Sequence, residues 1–242
     1  ADTAQGAGTI TQRALTLGAV ESQSKTYDGT TAADASKFRA TLNNVVSGEE
    51  NNVTATAAGA AYNSKDVAGA NAVGYTGVAL AGAGAGNYTI ADTAQGAGTI
   101  TQRALTLGAV TSEQTKTYDG TTAADASKFR ATLNNTIAGD SVSTTATGAT
   151  YNNKNVARAN RIDYTGVALR GADAGNYSIA DTAQGAGTIS RRELTVDTVA
   201  SQSKTYDGTT SADTSKFQAT LGNLVAGEEG SVTATAAGAT YN

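Results

Sequence analysis

The residues best suited to chemistry lie in the stretch SKTYDGTT, residues 24–31, where Lys25, Tyr27 and Asp28 come just before Gly29. A tyrosine ring beside a carboxylate can bind a sugar, because the ring stacks on it and the carboxylate accepts hydrogen bonds from its hydroxyls. An Asp-Gly pair also supplies the side chain and the backbone freedom that a tight turn needs. The stretch therefore indicates either a sugar site or a hairpin turn above a buried tyrosine.

Repetition favours the turn. The stretch returns as TKTYDGTT at 115–122 and as SKTYDGTT at 203–210, and a second motif, Gly-Asn-Tyr, occurs twice. Every Tyr and Phe of the chain falls at a position that repeats, so no aromatic residue is left over for a special site. We predict a structural role for both motifs, which comprise Tyr27, Asp28, Gly29, Tyr118, Asp119, Gly120, Tyr206, Asp207, Gly208, Gly86, Asn87, Tyr88, Gly175, Asn176 and Tyr177.

The chain is a tandem array. Residues 1–20 recur unchanged at 91–110, and the first ten recur at 180–189. A period of about 90 residues is the size of a small domain rather than of a solenoid turn. We expect further copies on both sides in the native polypeptide. The predicted boundaries are 1–12 for the tail of a preceding repeat, 13–102 and 103–191 for two complete repeats, and 192–242 for the first half of a third.

Composition excludes most enzyme classes. The chain has no Cys, His, Met, Trp or Pro, which removes disulfides, thiolate and imidazole metal sites, and every catalytic triad with a histidine base. We therefore predict that it is not an enzyme. A net charge of −4 leaves no basic patch for nucleic acid. No apolar run approaches the roughly 20 residues of a membrane span.

No cofactor is expected, although two alternatives remain open. Carboxylates could bind Ca²⁺, but they lack the alternating ladder of a calcium loop. They are Asp28, Asp92, Asp125 and Asp173. Lysine and asparagine, which form isopeptide cross-links in some surface proteins, occur at Lys25 and Asn87 and again at Lys116 and Asn176.

Alternating apolar residues predict about seven or eight short, half-buried strands in each repeat. The clearest cases are ALTLGAV, with Leu15, Leu17 and Ala19 on one face, and NVTATAA, with Val53, Ala55 and Ala57 on one face.

The segment 33–42 is ambiguous because its apolar residues fit both a strand and a helix. We predict a strand, with a helical turn at its start as the alternative, behind a capping box from Thr31 to Asp34. Positions that vary between repeats, such as Asp66 against Asn155, are interpreted as solvent-facing sites that bind nothing in particular.

The motifs KTYDGTTAAD and GADAGNYSI resemble those of the YDG-type repeat domains in large bacterial surface adhesins of the filamentous-haemagglutinin kind. The resemblance covers both complete repeats and the first half of the third. It implies an extracellular or cell-surface module that builds the shaft of an adhesin or matrix filament. We expect an all-β tandem array of small β-sandwich-like domains forming an elongated rod, with neighbouring repeats as partners. The alternative is a weak multivalent module that binds glycans or other filaments.

Overall fold

The computed structural model describes residues 5–242, and over these residues the chain is built from β-strands. Its helical elements there are short 3-10 helices, at Ala35–Lys37, Ala85–Asn87, Ala126–Lys128, Ala174–Asn176 and Thr214–Lys216. The strands of the first repeat are β1 (Arg13–Ala14), β2 (Thr16–Val20), β3 (Gln23–Thr26), β4 (Ala40–Asn43), β5 (Thr54–Thr56), β6 (Gly59–Tyr62), β7 (Ala72–Thr76), β8 (Ala79–Ala81), β9 (Tyr88–Thr89) and β10 (Thr93–Thr101).

The second repeat has the same strands in the same order. They are β11 (Arg103–Ala104), β12 (Thr106–Val110), β13 (Gln114–Thr117), β14 (Ala131–Asn134), β15 (Ser143–Thr145), β16 (Gly148–Tyr151), β17 (Arg161–Thr165), β18 (Ala168–Arg170), β19 (Tyr177–Ser178) and β20 (Thr182–Ser190). The third has β21 (Thr195–Val199) and β22 (Ala219–Gly222). Each complete repeat therefore has ten strands where seven or eight were expected, because a run read as one strand, such as ALTLGAV, divides into two, here β1 and β2.

A curled four-stranded sheet is the main element of each complete repeat. In the first repeat its order is β3-β10-β7-β6, with β3 parallel to β10 and the other pairs antiparallel. The chain leaves β3, turns, and forms an antiparallel bridge from Ala32 to Ala61 on the opposite edge strand. The smaller ladders are β1-β9, β2-β4 and β5-β8.

The described chain forms two compact units that do not follow the sequence repeats. Of the described residues, the first contains 5–109, which include all of repeat one, together with 131–145 and 167–181 of repeat two. The second contains 110–130, 146–166 and the chain from 182 onward. Each unit therefore contains one junction between consecutive repeats.

In the first unit, aromatic rings fill the core below the curled sheet. Phe38 and Tyr75 pack with ring centroids 4.7 Å apart, and buried Gln23 donates a 2.8 Å hydrogen bond to the Tyr75 hydroxyl. Gly98 on β10 lies so close to this core that a Cβ there would come within 2.6 Å of Val73. In the second unit, Phe129 and Tyr164 repeat the ring pair at 4.7 Å.

The strand predictions hold for one segment and fail in part for the other. Val53, Ala55 and Ala57 alternate with exposed residues, as predicted. In β2, however, Ala19 is exposed, and Val20 packs on the core instead. A register shift between Leu17 and Val20 causes the difference, because one extra residue moves the following side chains to the other face.

The ambiguous segment 33–42 contains both elements that we considered. A 3-10 helix at Ala35–Lys37 precedes strand β4. The predicted capping box is wrong, since the N-cap is Asp34, whose carboxylate accepts a 2.9 Å bond from the Ser36 amide.

Candidate functional site: the junction between consecutive repeats

The Tyr-Asp-Gly turn is held by a lysine and a carboxylate. Asp28 Oδ1 accepts hydrogen bonds from the Thr30 amide at 3.0 Å and from Lys25 Nζ at 2.7 Å. Lys25 also donates to the Thr30 and Ala32 carbonyl oxygens, and Gly29 has φ of 78°, which favours glycine. The turn does not close a hairpin as predicted, because β3 pairs with distant β10. The hydrogen bonds donated by Lys25 Nζ all go to residues 28–32, and none goes to Asn87.

The same lysine–carboxylate pair forms in the other two copies. Lys116 and Asp119 are 2.8 Å apart, and Lys204 and Asp207 are 2.9 Å apart. The Lys116 hydrogen bond and the amide of Thr121 lower the pKa of Asp119 to about 2. The pKa of Asp207 is also about 2, for the equivalent reasons. Both carboxylates are therefore ionised at any ordinary pH, which keeps the turn closed.

Tyr27 points away from this turn and into the second repeat. Its ring is fully buried and meets the Tyr177 ring edge to face, with centroids 5.3 Å apart. Its hydroxyl donates a 2.9 Å hydrogen bond to Asp140 Oδ2, and the Tyr177 hydroxyl donates to the same oxygen at 2.5 Å. Ile137 lies against the turn, because a Cβ on Gly29 would be 3.0 Å from its Cγ2.

A second contact joins the two repeats beside the tyrosines. The Val67 amide donates to Asn176 Oδ1 at 2.9 Å, and Asn176 Nδ2 donates to Asp66 Oδ1 at 2.9 Å. Lys65 lies 3.8 Å from Asp173. Position 66 does face solvent in part, since the Asp66 side chain is 49% exposed, but the interpretation that it binds nothing is wrong, because its carboxylate accepts a hydrogen bond from a buried amide of the next repeat.

We call Ile137, Asp140, Asn176 and Tyr177 the acceptor surface of the second repeat. The corresponding residues of the first repeat are Val46, Glu49, Asn87 and Tyr88, which we call the acceptor surface of the first repeat. There the Tyr88 hydroxyl donates to Glu49 and accepts from the Val46 amide at 3.2 Å. The pair of tyrosine and acid thus forms in the first repeat as it does in the second.

The junction between the second and third repeats uses the same contacts. The Tyr118 hydroxyl donates to Glu228, and Lys154 lies 3.8 Å from the same carboxylate. Val225 packs beside the turn, where a Cβ on Gly120 would approach it to 2.8 Å. The third turn differs: Tyr206 is 92% exposed.

The environment of the buried tyrosines keeps them protonated. Burial and the bond to Asp140 raise the pKa of both Tyr27 and Tyr177. The hydrogen bond to Glu228 and, as the second cause, burial raise the pKa of Tyr118. These hydroxyls therefore act as hydrogen-bond donors, and a fully buried Tyr27 ring offers no face on which a sugar could stack.

Sequence reasoning missed the acidic partners of the tyrosines. Glu49, Asp140 and Glu228 lie in loops outside the motifs that the sequence analysis singled out. The sequence does contain a signal for them. An acidic residue stands three positions after each of Val46, Ile137 and Val225, and a glycine comes directly before it. The buried Gln23 and its copy Gln114 also went unnoticed, although glutamine recurs at that position in all three copies.

Residues 5–242 contain no cluster of three or more acidic side chains placed to hold a metal ion. They also contain no helix with the length and apolar character needed to cross a bilayer.

A curled β domain whose Tyr-Asp-Gly turn docks on the following copy defines the class of protein as a tandem-repeat β module. Residues 11–95 and 101–184 each match the YDG domain, which covers more than half of the chain, so this chain belongs to the YDG domain family. No curated protein and no solved structure matches it significantly.

Proposed function

We propose that this chain is a non-catalytic segment of the shaft of a bacterial extracellular adhesin or matrix filament. The observation that carries the proposal is the buried junction, in which Tyr27 of one repeat and Tyr177 of the next share Asp140. A shaft must hold each domain in a fixed orientation relative to the next. A fully buried aromatic contact with shared hydrogen bonds keeps that orientation better than a flexible linker does.

The connection between the first two repeats supports the same proposal. Strand β10 ends at Thr101 and β11 begins at Arg103, so a single residue separates them. That residue, Gln102, donates a 3.0 Å hydrogen bond to the Gly175 carbonyl oxygen. No free linker remains between the two repeats.

A glycan-binding module is the competing function, and it has weaker support. The tyrosine that would serve as a stacking platform is buried at Tyr27 and half-buried at Tyr118. Its carboxylate neighbour, Asp28, is engaged by Lys25 and Thr30. Neither group is free to recognise a sugar in the first repeat.

Solution X-ray scattering tests the shaft directly. If each repeat adds roughly 35 to 40 Å in line, the chain should be about 100 Å long with a radius of gyration of about 29 Å. A compact chain of this length would give about 18 Å. A monomer near the compact value would overturn the proposal. Antibody labelling of intact source cells tests the location separately, and labelling only after permeabilisation would contradict it.

A further inference from the structure

The chain enters and leaves the curled sheet of the first repeat on two strands that lie side by side. Strand β3 comes near the start of the repeat and β10 at its end, yet the two are neighbours in the sheet. They pair in parallel, with Gly98 opposite Gln23 and Thr101 opposite Thr26. This ladder therefore joins the incoming chain directly to the outgoing chain, and residues 27–97 form a loop that it closes.

Parallel pairing decides how this ladder responds when the chain is pulled along its length. Tension on the incoming chain pulls β3 toward its amino end, and tension on the outgoing chain pulls β10 toward its carboxyl end. Because the strands are parallel, these opposite forces act along the strands, which must slide past each other. The evenly spaced hydrogen bonds between them are then loaded together. If the two strands were antiparallel, both forces would act at one end of the ladder, and its bonds would break one after another.

Further hydrogen bonds fix β3 in this position. The Tyr27 amide donates to the Thr101 carbonyl oxygen at 2.9 Å, which extends the ladder by one bond. At the other end of the strand, the Gln23 side-chain amide donates to the Asp34 carbonyl oxygen at 2.9 Å and to the Tyr75 hydroxyl at 2.8 Å. Both ends of β3 are therefore bound to groups that are distant in sequence.

The inner face of the ladder is buried. Gln23 is 7% exposed and Ile100 is 4% exposed. Ile100 belongs to the same core cluster as Tyr27 and Phe38. Hydrogen bonds are stronger in a low-dielectric core than in water, and burial keeps water from replacing a bond that stretches. The ladder should therefore yield less readily than an equally short ladder on the surface.

The second repeat has the same arrangement. Strand β13 pairs in parallel with β20, with Gln114 opposite Gly187. The Tyr118 amide donates to the Ser190 carbonyl oxygen at 2.9 Å, and the Gln114 side chain donates to the Tyr164 hydroxyl at 2.8 Å. The parallel ladder and its supporting bonds are therefore features of each complete repeat.

We propose that the ladders β3–β10 and β13–β20 are tensile clamps, which let each repeat bear load along the chain without unfolding. The two-residue ladder β1–β9 lies outside the first clamp, so its loss leaves β3 and β10 joined. Residues 27–97 carry no load until the clamp slips, and they are then released in one step. The inference goes beyond the shaft proposal, because the clamp is a property of the fold wherever the protein acts.

Optical tweezers with two directions of pull test the first clamp, because the chain has no cysteine and handles can be attached at introduced thiols. Ser22→Cys with Thr101→Cys places the handles at opposite ends of the ladder, which is then sheared. Ser22→Cys with Ala97→Cys places them at the same end, so that the bonds break in turn. All three positions are exposed. Forced unfolding reports the rate of unfolding, so at one loading rate the sheared ladder should rupture at a force at least about twice as high. Equal forces in the two directions would refute the clamp.

Two core truncations separate the clamp from ordinary stability. Ile100→Val lies in the ladder, whereas Val78→Ala lies in the same buried core but outside the ladder. Both variants should unfold at lower urea concentration than the wild type. Only Ile100→Val should lower the rupture force in shear, because contacts that persist until the ladder breaks do not change the barrier to breaking it. An equal drop in force for Val78→Ala would mean that the whole core bears the load, which contradicts a clamp.

Pulling the full chain by its two ends tests whether the clamps act in series. Each ladder closes a loop of about 70 residues, so its failure should lengthen the chain in one step of about 240 Å. We expect two such steps, one for each complete repeat. Gradual lengthening in smaller steps would count against the clamps, and it would leave the scattering test of the shaft unaffected.

Discussion

Tyr27 of the first repeat and Tyr177 of the second meet edge to face, with their ring planes at 76° and their hydroxyls on one oxygen of Asp140. Edge-to-face rings add about 0.5 to 1.5 kcal/mol beyond their buried area. Two charge-assisted hydrogen bonds to one carboxylate hold both rings in place. The Tyr-Asp-Gly turn thus connects two repeats as well as shaping one.

Tyr27→Ala should destabilise the first unit strongly. The ring is fully buried, so its loss leaves a cavity and removes a donor from Asp140, at a cost of about 3 to 5 kcal/mol. Urea unfolding followed by circular dichroism measures the loss. Tyr206→Ala, in the same motif but 92% exposed, is the matched control and should change stability little. Equal effects at the two positions would mean that the motif stabilises its own turn rather than the junction.

High pH should open the junction. The pKa of Tyr27 is raised by burial and by Asp140, while a tyrosine in the unfolded chain ionises near 10.0. Above pH 10 the unfolded chain therefore binds fewer protons than the folded one, and stability falls as pH rises toward the folded pKa. Stability measured from pH 8 to 11 should show this decline.

The matched variant for the alkaline prediction is Tyr27→Phe, which keeps the ring and removes the ionising hydroxyl. It should lower stability by about 1.5 kcal/mol at pH 8, through the lost hydrogen bond to a charged group. Its stability should then fall less steeply above pH 10 than that of the wild type. An identical slope in both proteins would show that Tyr27 is not the group that titrates.

The repeats, the β class and the turn at Gly29 could be predicted from the sequence, because they depend on local residue types and on a period visible in the letters. The direction of Tyr27 could not. A tyrosine before an Asp-Gly turn fits its own core as well as a neighbour's, and Asp140 lies 113 residues further on. The break between β1 and β2 could not be predicted either, because β1 is fixed by its tertiary pairing with β9 rather than by any pattern of its own.

The residues in and just before β2 show where an alternating apolar pattern stops predicting which side chains face the core. Leu15 and Leu17 face inward as the period-two pattern predicts, but the register shift places Val20 on the core in place of Ala19. Gly18 lies within the shifted segment, and a glycine inside a strand is typical of a bulge, but it does not specify which of the following side chains change face. The period therefore predicts that a strand exists better than it predicts the last residues of that strand.

Low pH should loosen the turn of the second repeat. The folded pKa of Asp119 is about 2, below its ordinary value of 3.8, so its stabilising effect is complete above that value and is lost as pH falls toward 2. The carboxyl carbon shift in an NMR titration measures this pKa directly. Asp119→Asn should remove the corresponding acid-dependent loss of stability, while Asp207, with a pKa also about 2, should still titrate there.

Gly98→Ala should disturb the curled sheet of the first repeat. A methyl group there would lie 2.6 Å from Val73 and 3.0 Å from Tyr62, so the core must expand at a cost of about 1 to 3 kcal/mol. Gly8→Ala is the matched control, because it makes the same change in the same sequence where no atom lies within 4 Å. Thermal unfolding measures the melting temperature of both variants. It should be lower for Gly98→Ala than for the wild type and unchanged for Gly8→Ala. If both variants melted like the wild type, the close approach of β10 to β7 and β6 would be wrong.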